Sequence, residues 1–320
     1  MLITGIERVL ALGAPMSRAT LPLINGLARR RLVYNGVAQR ETRIDGIPIN
    51  YYYKAPAQPA PGTFPLLLIH GIADNALTWS FIHAALARKY PVYAVDLPGY
   101  GFSGLPAGRA YLTLDEMCGV LDTFLRREIG QPALVVGNSM GGWLAVKLAW
   151  SAPSLLRGLV LVDAGGAPLQ GRDSWVPFGE TIGIPDMKTA RLVFRQMFGG
   201  IPAPMLYVGQ HSLQELFQRR VVREFVANMM DADPAKELLH PAELRNLPVP
   251  AGLIWGMNDR FLPRGSLEFF RENLPEAPAM LLRRCGHLPQ RERPVAVLHF
   301  LRMFAARLAA QRDLQQAQRA

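Results

Sequence analysis

The sequence predicts an α/β fold in which a mostly parallel central sheet is flanked by helices and interrupted by one helical insertion. Short, continuously apolar segments alternate with helix-forming segments along most of the chain, as expected for strands buried on both faces of a parallel sheet. The alternation stops between about residues 165 and 245, where helical patches and prolines replace the strands. Half of the 320 residues are hydrophobic, so the chain can bury a large core.

An antiparallel hairpin is predicted at the start of the sheet, over residues 42–54. Its turn contains Asp45-Gly46, a dipeptide typical of tight hairpin turns. Ile47, Ile49 and Tyr51 then alternate with other residues, which indicates a strand with one buried face.

Strands and helices alternate after the hairpin. The pair of Thr113 and Glu116 forms a capping-box pattern that predicts the start of a helix. The remaining predicted strands are 66–70, 91–96, 133–137, 159–163, 251–255 and 279–282, and the other predicted helices are 75–88, 140–150, 264–273 and 294–311. We therefore expect a core made of residues 36–164 and 246–320, with residues 165–245 as a helical lid inserted at one end of the sheet.

Residues 1–35 lie before this core and form a predicted helical arm. Ile3, Ile6 and Leu10 recur at helical spacing, and arginines occupy positions 29–31. The apolar stretch is too short to span a bilayer and makes a poor secretory signal. Two interpretations stay open: a helix that lies on a membrane surface, and an arm that packs on the body of the protein.

The formal net charge of +10 fits either a solvated arginine-rich surface or attraction to anionic membranes. The chain has no zinc-finger spacing and no basic aromatic motif, so no nucleic-acid partner is expected. Cys118 and Cys285 lie far apart and outside any CxxC pair, which favours a reducing compartment. We expect a cytoplasmic protein, with peripheral contact at the inner face of a membrane as the alternative that residues 1–35 allow.

The segment Gly137-Asn138-Ser139-Met140-Gly141 is a G-x-S-x-G motif. An apolar strand leads directly into it and a helix follows directly. This is the context of a strand-to-helix elbow, in which a strained turn lifts a serine hydroxyl above the edge of the sheet. The five-residue pattern is weak evidence alone, but this context makes Ser139 the candidate nucleophile.

A serine hydroxyl needs a base within hydrogen-bond reach, and the base needs an orienting carboxylate. His287 follows a short strand close to the C-terminal helix, where a loop can reach back to the elbow, so we predict it as the base. Asp163 and Asp259 both end strands, and either preserves the chain order Ser, Asp, His. The short loop before Asp259 favours it as the acid, which leaves Asp163 as a loop-capping residue at the entry to the insertion.

Attack by a serine on a carbonyl carbon gives a tetrahedral intermediate, whose oxyanion preorganised N–H groups must bind. The amide of Met140, directly after the serine, is one predicted donor. The loop at residues 70–73 supplies the other, and Ile72 N–H is the predicted donor because Gly71 permits the turn. His70 is expected to be a structural residue beneath this loop. None of these roles requires a metal ion or an organic cofactor, and we expect neither.

Several sequence blocks occur in an order that resembles the α/β-hydrolase superfamily. They are 70–71, 96–103, the elbow at 137–142, 255–263 and 285–287. The resemblance extends over about residues 40 to 310. Within the superfamily it is closest to monoacylglycerol lipases and to bacterial lipases with a Gly-Asn-Ser-Met-Gly-Gly elbow.

The resemblance implies a serine carboxylic-ester hydrolase of lipid metabolism that acts on medium or long acyl esters through an acyl-enzyme. It also implies that residues 165–245 cover an acyl pocket and that residues 1–35 associate with a membrane. One alternative is a carbon–carbon bond hydrolase of vinylogous keto acids, which shares the elbow and the Trp-Gly-x-x-Asp-Arg-Phe block. Such enzymes usually have a glycine-rich oxyanion loop, whereas residues 70–75 here read His-Gly-Ile-Ala-Asp-Asn. A catalytically silent binding module on the same fold is a third alternative.

Overall fold

The computed structural model describes residues 20–60, 62–168, 182–183, 186–200, 203–231 and 237–317. Its strands are β1 (Ala38–Ile44), β2 (Ile47–Lys54), β3 (Leu66–Ile69), β4 (Val92–Val95), β5 (Ala133–Ser139), β6 (Leu156–Ala164), β7 (Ala251–Gly256) and β8 (Ala279–Leu282). They form one eight-stranded sheet with the order β1-β2-β4-β3-β5-β6-β7-β8. β2 pairs antiparallel with both β1 and β4, and all other neighbours pair in parallel. The predicted mostly parallel sheet is confirmed.

Helices cover both faces of this sheet. The helices of the described residues are α1 (Thr20–Tyr34), α2 (His83–Leu86), α3 (Leu114–Phe124), α4 (Met140–Ser151), α5 (Met187–Met197), α6 (Ala203–Phe217), α7 (Arg220–Asp231), α8 (Pro241–Arg245), α9 (Ser266–Asn273), α10 (Pro289–Glu292) and α11 (Pro294–Ala317). Apolar side chains of α3 and α4 join the core on one face of the sheet, and those of α2 and α11 join the core on the other.

The central strands explain why their sequence is continuously apolar. In β3, Leu67 and Ile69 belong to one core, while Leu66 and Leu68 belong to the other. Successive side chains of a strand point to opposite faces, so a strand that is covered on both sides needs an apolar residue at every position.

The prediction of one continuous helix over residues 75–88 is wrong. A 3₁₀ turn at Ala76–Trp79 and the short α2 replace it. Asn75 caps the turn, because its side-chain oxygen accepts a hydrogen bond from Leu77 N–H at 3.0 Å. All four residues of the turn are buried, and one continuous amphipathic helix would have turned part of this run toward solvent.

The parallel strands place the ends that carry the candidate residues at one edge of the sheet. Carboxyl ends of parallel strands face the same way, and ligands of open α/β sheets bind beyond those ends. Here the ends of β3, β5, β6, β7 and β8 lead into the segments that contain His70, Ser139, Asp163, Asp259 and His287.

The regular elements that are described within residues 165–245 are all helices, from α5 to α8. α5 packs against α6, and the main chain at the end of α5 hydrogen-bonds to loops at the carboxyl edge of the sheet. The predicted helical composition of this insertion therefore agrees with its described part.

α1 packs on the body of the protein through Leu21 and Leu32, which are buried. Leu23, Ile24 and Leu27 lie on its exposed side. Arg31 lies over the ring of Phe81, with its guanidinium carbon 4.9 Å from the ring centre. The predicted apolar positions Ile3, Ile6 and Leu10 lie outside the described residues. Within the described ranges, every helix is too short or too polar to cross a membrane.

Candidate active site

Ser139 occupies a strained turn between β5 and α4. Its φ of 56° and ψ of −121° lie in a region that residues with a side chain rarely adopt. A Cβ atom on Gly137 would lie 2.1 Å from the carbonyl oxygen of Gly141, and a Cβ on Gly141 would lie 2.5 Å from that of Ile69. Neighbouring main chain lies too close to Gly137 and Gly141 for any side chain, so both positions require glycine. This is the physical reason for the spacing of the motif.

Asp259 and His287 form a buried hydrogen-bonded pair. Oδ2 of Asp259 lies 2.8 Å from Nδ1 of His287, and the side chains are 1% and 2% exposed. Oδ1 of Asp259 accepts hydrogen bonds from the amides of Phe261 at 2.8 Å and Leu262 at 3.3 Å. The ring centre of Phe261 lies 4.6 Å from that of His287. The carboxylate thus fixes the imidazole with Nδ1–H as donor, which leaves Nε2 to act as a base.

Asn138 connects the strand of the serine to the loop of the histidine. Its side-chain amide donates to the carbonyl of His287 at 3.1 Å and to that of Val162 at 3.0 Å. Its side-chain oxygen accepts from Nε2 of Gln290 at 3.1 Å. These bonds hold the His287 loop next to the strand that ends at Ser139. Sequence reasoning missed Asn138 and Gln290, because the motif leaves position 138 unspecified.

The loop after β3 lies directly against the serine. A Cβ on Gly71 would lie 2.8 Å from Cβ and 3.4 Å from Oγ of Ser139. Ile72 follows in this loop, and Met140 is the first residue of α4, so its amide has no partner within the helix. Both predicted oxyanion donors therefore belong to segments that adjoin Ser139.

His70 supports this loop from below. Its Nε2 accepts from the amide of Leu97 at 3.0 Å, and its Nδ1 donates to the carbonyl of Gly71 at 2.7 Å. Burial lowers the pKa of His70, so the ring stays neutral, as this bonding pattern requires. A neutral ring bonded on both nitrogens is suited to holding the loop and not to proton transfer.

An ion pair joins the same loop to α10. Nη2 of Arg291 lies 2.6 Å from Oδ1 of Asp74, and Nε of Arg291 donates to Oγ1 of Thr78 at 2.9 Å. Gln290 also donates to Oγ1 of Thr78, at 3.1 Å. The loop after β3, the strand that ends at Ser139 and the loop that carries His287 therefore share one hydrogen-bond network.

Asp163 does not cap a loop at the entry to the insertion, and that prediction is corrected. It lies within β6, fully buried, with its Oδ1 accepting from the amide of Gly256 in β7 at 3.0 Å. Its φ of 40° lies in the left-handed region, and its carboxyl group lies near the side chains of Asp259 and His287. Asp163, Asp259 and His287 each offer a nitrogen or oxygen atom within 4.8 Å of the others. Among the described residues, they form the cluster whose spacing could hold a metal ion. Nδ1 of His287 is engaged with Asp259 in this structure.

The insertion contacts the histidine loop through its main chain. The amide of His287 donates to the carbonyl of Met197 at 2.6 Å, and the amide of Arg260 donates to that of Gln196 at 3.1 Å. A Cβ on Gly286 would lie 2.3 Å from the same Met197 oxygen. The end of α5 is therefore seated on the loops that carry His287 and Asp259.

Comparison with known proteins shows which family this chain resembles. The model of the alpha/beta hydrolase family matches residues 66–300. A 2-hydroxy-6-oxononadienedioate/2-hydroxy-6-oxononatrienedioate hydrolase of Burkholderia vietnamiensis is 31% identical over 279 residues, which cover 81% of this chain and 93% of the relative. A pimeloyl-acyl-carrier-protein methyl ester esterase of Aeromonas hydrophila is 28% identical over 247 residues, with 75% of this chain and 94% of the esterase covered.

A solved structure shares the fold of this chain. The crystal structure of a membrane phospholipase A matches with a TM-score of 0.72 and 23% identity, and the match covers 96% of this chain and 98% of the other. At this identity the likeness demonstrates a common fold.

Proposed function

This chain belongs to the alpha/beta hydrolase family, and we propose that it is a serine-dependent carboxylic-ester hydrolase of the lipase and esterase type. The observation that carries this proposal is the buried pair of Asp259 and His287 beside the strained elbow of Ser139. A serine that is held above a sheet edge and a histidine that is fixed by a carboxylate are the components of acyl transfer.

The reaction begins when Ser139 Oγ attacks the ester carbonyl carbon and His287 accepts the hydroxyl proton. Asp259 keeps the imidazole in the required tautomer and stabilises its protonated form. The amides of Ile72 and Met140 bind the oxyanion of the tetrahedral intermediate. The C–O bond to the alcohol then breaks, and His287 returns the proton to the leaving alkoxide.

Deacylation repeats these steps with water as the nucleophile. His287 takes a proton from water, the resulting hydroxide attacks the acyl carbon, and the acid leaves as Ser139 recovers its proton. The chemistry uses only side chains and main-chain amides of this protein, so the proposal includes no metal ion or organic cofactor.

The substrate that we propose is an ester with a medium or long acyl chain. Phe261 packs against His287, and the main chain of Met197 in the insertion is bonded to the same loop. This arrangement suits a cover over an acyl chain, and we propose that residues 165–245 form a lid. The insertion buries apolar side chains, among them Val193, Met197 and Phe225, and an apolar cover favours a hydrocarbon chain over a charged substrate.

A carbon–carbon bond hydrolase is the second candidate, and one observation favours it: the 31% identity to the Burkholderia hydrolase. The substrate in that relative's name is a dioate, whose two carboxylates require cationic partners. Arg291 of α10 is a cation next to the oxyanion loop, and its charge is already paired with Asp74 of that loop. This pairing, together with an oxyanion loop that is not glycine-rich, makes the ester the better proposal.

Two experiments separate these possibilities. Labelling of wild-type protein by a fluorophosphonate probe, with no labelling of Ser139→Ala, tests for a serine enzyme against a silent binding module. Glycerides and p-nitrophenyl esters of graded chain length, assayed beside a vinylogous keto acid, test the bond that is cleaved. Release of a dienoate at a higher kcat/KM than any fatty acid would contradict the ester proposal.

We further propose that residues 1–35 bring the enzyme to an anionic membrane surface, at the inner face of a membrane in the cytoplasm. Leu23, Ile24 and Leu27 are 44%, 40% and 44% exposed on α1, and arginines 29–31 follow on the same helix. Apolar side chains and adjacent arginines support interfacial binding. The compartment rests on Cys118 and Cys285, which are both free thiols.

A further inference from the structure

A second carboxyl group lies against the acid–base pair, and the proposed reaction does not use it. Asp163 is fully buried, and its two oxygens have different surroundings. Oδ1 accepts the amide of Gly256, whereas Oδ2 has no hydrogen-bond donor among the described residues. A buried carboxylate oxygen without a donor is costly, so this atom requires an explanation.

Asp259 is much better supplied with donors than Asp163. It accepts hydrogen bonds from two amides and from His287, and such bonds stabilise a carboxylate in its charged form. Asp163 receives one. Two carboxylates at this separation cannot both be charged without strong repulsion, so the negative charge resides on Asp259 and the proton on Asp163.

The electrostatic surroundings of Asp163 agree with this assignment. Burial, and then the charge of Asp259, raise the pKa of Asp163 well above that of an ordinary aspartate. Glu292 in α10 acts in the same direction. Among the described residues, Cys285 also interacts electrostatically with Asp163 and Asp259, and with Glu292 and Arg293, and His287 completes the cluster.

We propose that Asp163 is a positioning residue that keeps its proton and donates a hydrogen bond from Oδ2 to the carboxylate of Asp259, which in turn orients His287. The inference rests on the proposed function for its catalytic consequence, but the protonation of Asp163 does not. The proton gives the otherwise unpaired Oδ2 a partner and removes the repulsion between the two carboxyl groups.

Asparagine at position 163 reproduces a protonated aspartate. Its amide offers one acceptor for Gly256 N–H and one donor for Asp259, in the same shape. We expect Asp163→Asn to keep kcat and KM within about threefold of wild type. Asp163→Leu, which has similar bulk but no donor, should lower kcat by about 10- to 100-fold with little change in KM, because Asp259 loses a hydrogen bond to its charged group.

The pH profile distinguishes positioning from a merely structural role. Wild-type activity should decline at alkaline pH as Asp163 ionises and repels Asp259. Asp163→Asn cannot ionise and should lack this decline. If Asp163 served only to pack the end of β6, the variant would change stability and leave the pH profile of kcat unchanged, and the proposal would be wrong.

Stability measurements test the protonation without any substrate. Because the folded-state pKa is raised, folding takes up a proton at Asp163 wherever the unfolded chain is ionised. That contribution to stability is present below about pH 4 and is lost as pH rises toward the folded-state pKa. The melting temperature of Asp163→Asn, relative to that of wild type, should therefore rise as the pH is raised above about 4. The inference would be wrong if the melting temperatures of wild type and Asp163→Asn changed in parallel with pH. It would also be wrong if Asp163→Asn lowered kcat as much as Asp163→Leu does. Activity retained by Ser139→Ala would overturn the proposed function and leave the melting result unaffected.

Discussion

Oδ2 of Asp259 and Nδ1 of His287 are 2.8 Å apart, and neither side chain has more than 2% of its surface exposed. A hydrogen bond that is shielded from water in this way is electrostatically stronger than one in water and is screened by salt much less than an exposed one. The orientation of the imidazole therefore depends on the identity of residue 259. The first prediction concerns that dependence.

Asp259→Asn should lower kcat by about 10³- to 10⁴-fold. The amide keeps the shape but donates to Nδ1, which leaves the histidine in the wrong tautomer. Steady-state kinetics on a soluble p-nitrophenyl ester measure the effect. Asp163→Asn is the matched control, since it changes the adjacent carboxyl group and should cost far less. The opposite order of the two effects would move the acid to position 163.

Ser139→Ala should remove nearly all hydrolysis, by about 10⁴-fold or more, because no nucleophile remains. The substitution replaces a hydroxyl by hydrogen, so the folded state should persist, and circular dichroism checks this. Ser151→Ala at the exposed end of α4 is the control and should retain wild-type activity. Near-normal turnover by a folded Ser139→Ala protein would exclude the serine mechanism.

Gly137→Ala should prevent folding or destabilise the protein by several kcal/mol. The added Cβ would lie 2.1 Å from a backbone oxygen of α4, and main chain cannot move aside as a flexible side chain can. Gly119→Ala in α3 is the control, because nothing lies within 4 Å of its Cβ. That change should stabilise by up to about 1 kcal/mol through helix propensity. Denaturant unfolding of both variants provides the comparison, and equal stabilities would contradict the account of the elbow.

Replacement of Leu23, Ile24 and Leu27 by serine should reduce co-sedimentation with anionic vesicles and hydrolysis of vesicle-borne lipid. Turnover of a soluble short-chain ester should not change, because these side chains lie on the exposed side of α1. Point substitutions are better than deletion of residues 1–35, since deletion also removes the buried Leu21 and Leu32.

The matched control for this experiment replaces Val295 and Met303 of α11 by serine, since both are likewise exposed apolar residues. These changes should leave vesicle binding as it is in wild type. Sedimentation at low and high salt tests the contribution of the arginines. Equal sedimentation of the arm variant and the wild type would remove the membrane role.

The sheet and the elbow could be predicted because they depend on local patterns. Buried parallel strands such as β3 are apolar at every position, and a strained turn requires glycine at fixed spacing. The relation of Asp163 to Asp259 could not be predicted, since it depends on the pairing of β6 with β7 and on a φ of 40°. The error at residues 75–88 has a similar cause, because tertiary burial of four consecutive residues replaced a regular helix with a tight turn.

The ion pair of Arg291 with Asp74 spans 217 positions of the chain, and this has a consequence for biosynthesis. On the ribosome, the oxyanion loop and the serine strand emerge long before the partners that close the network around them. Contacts at such separation form late, after the loop-closure entropy of the intervening chain has been overcome. A nascent chain that ends before α10 lacks both residues that tie the network together, so hydrolytic activity should appear only after α10 has been synthesised.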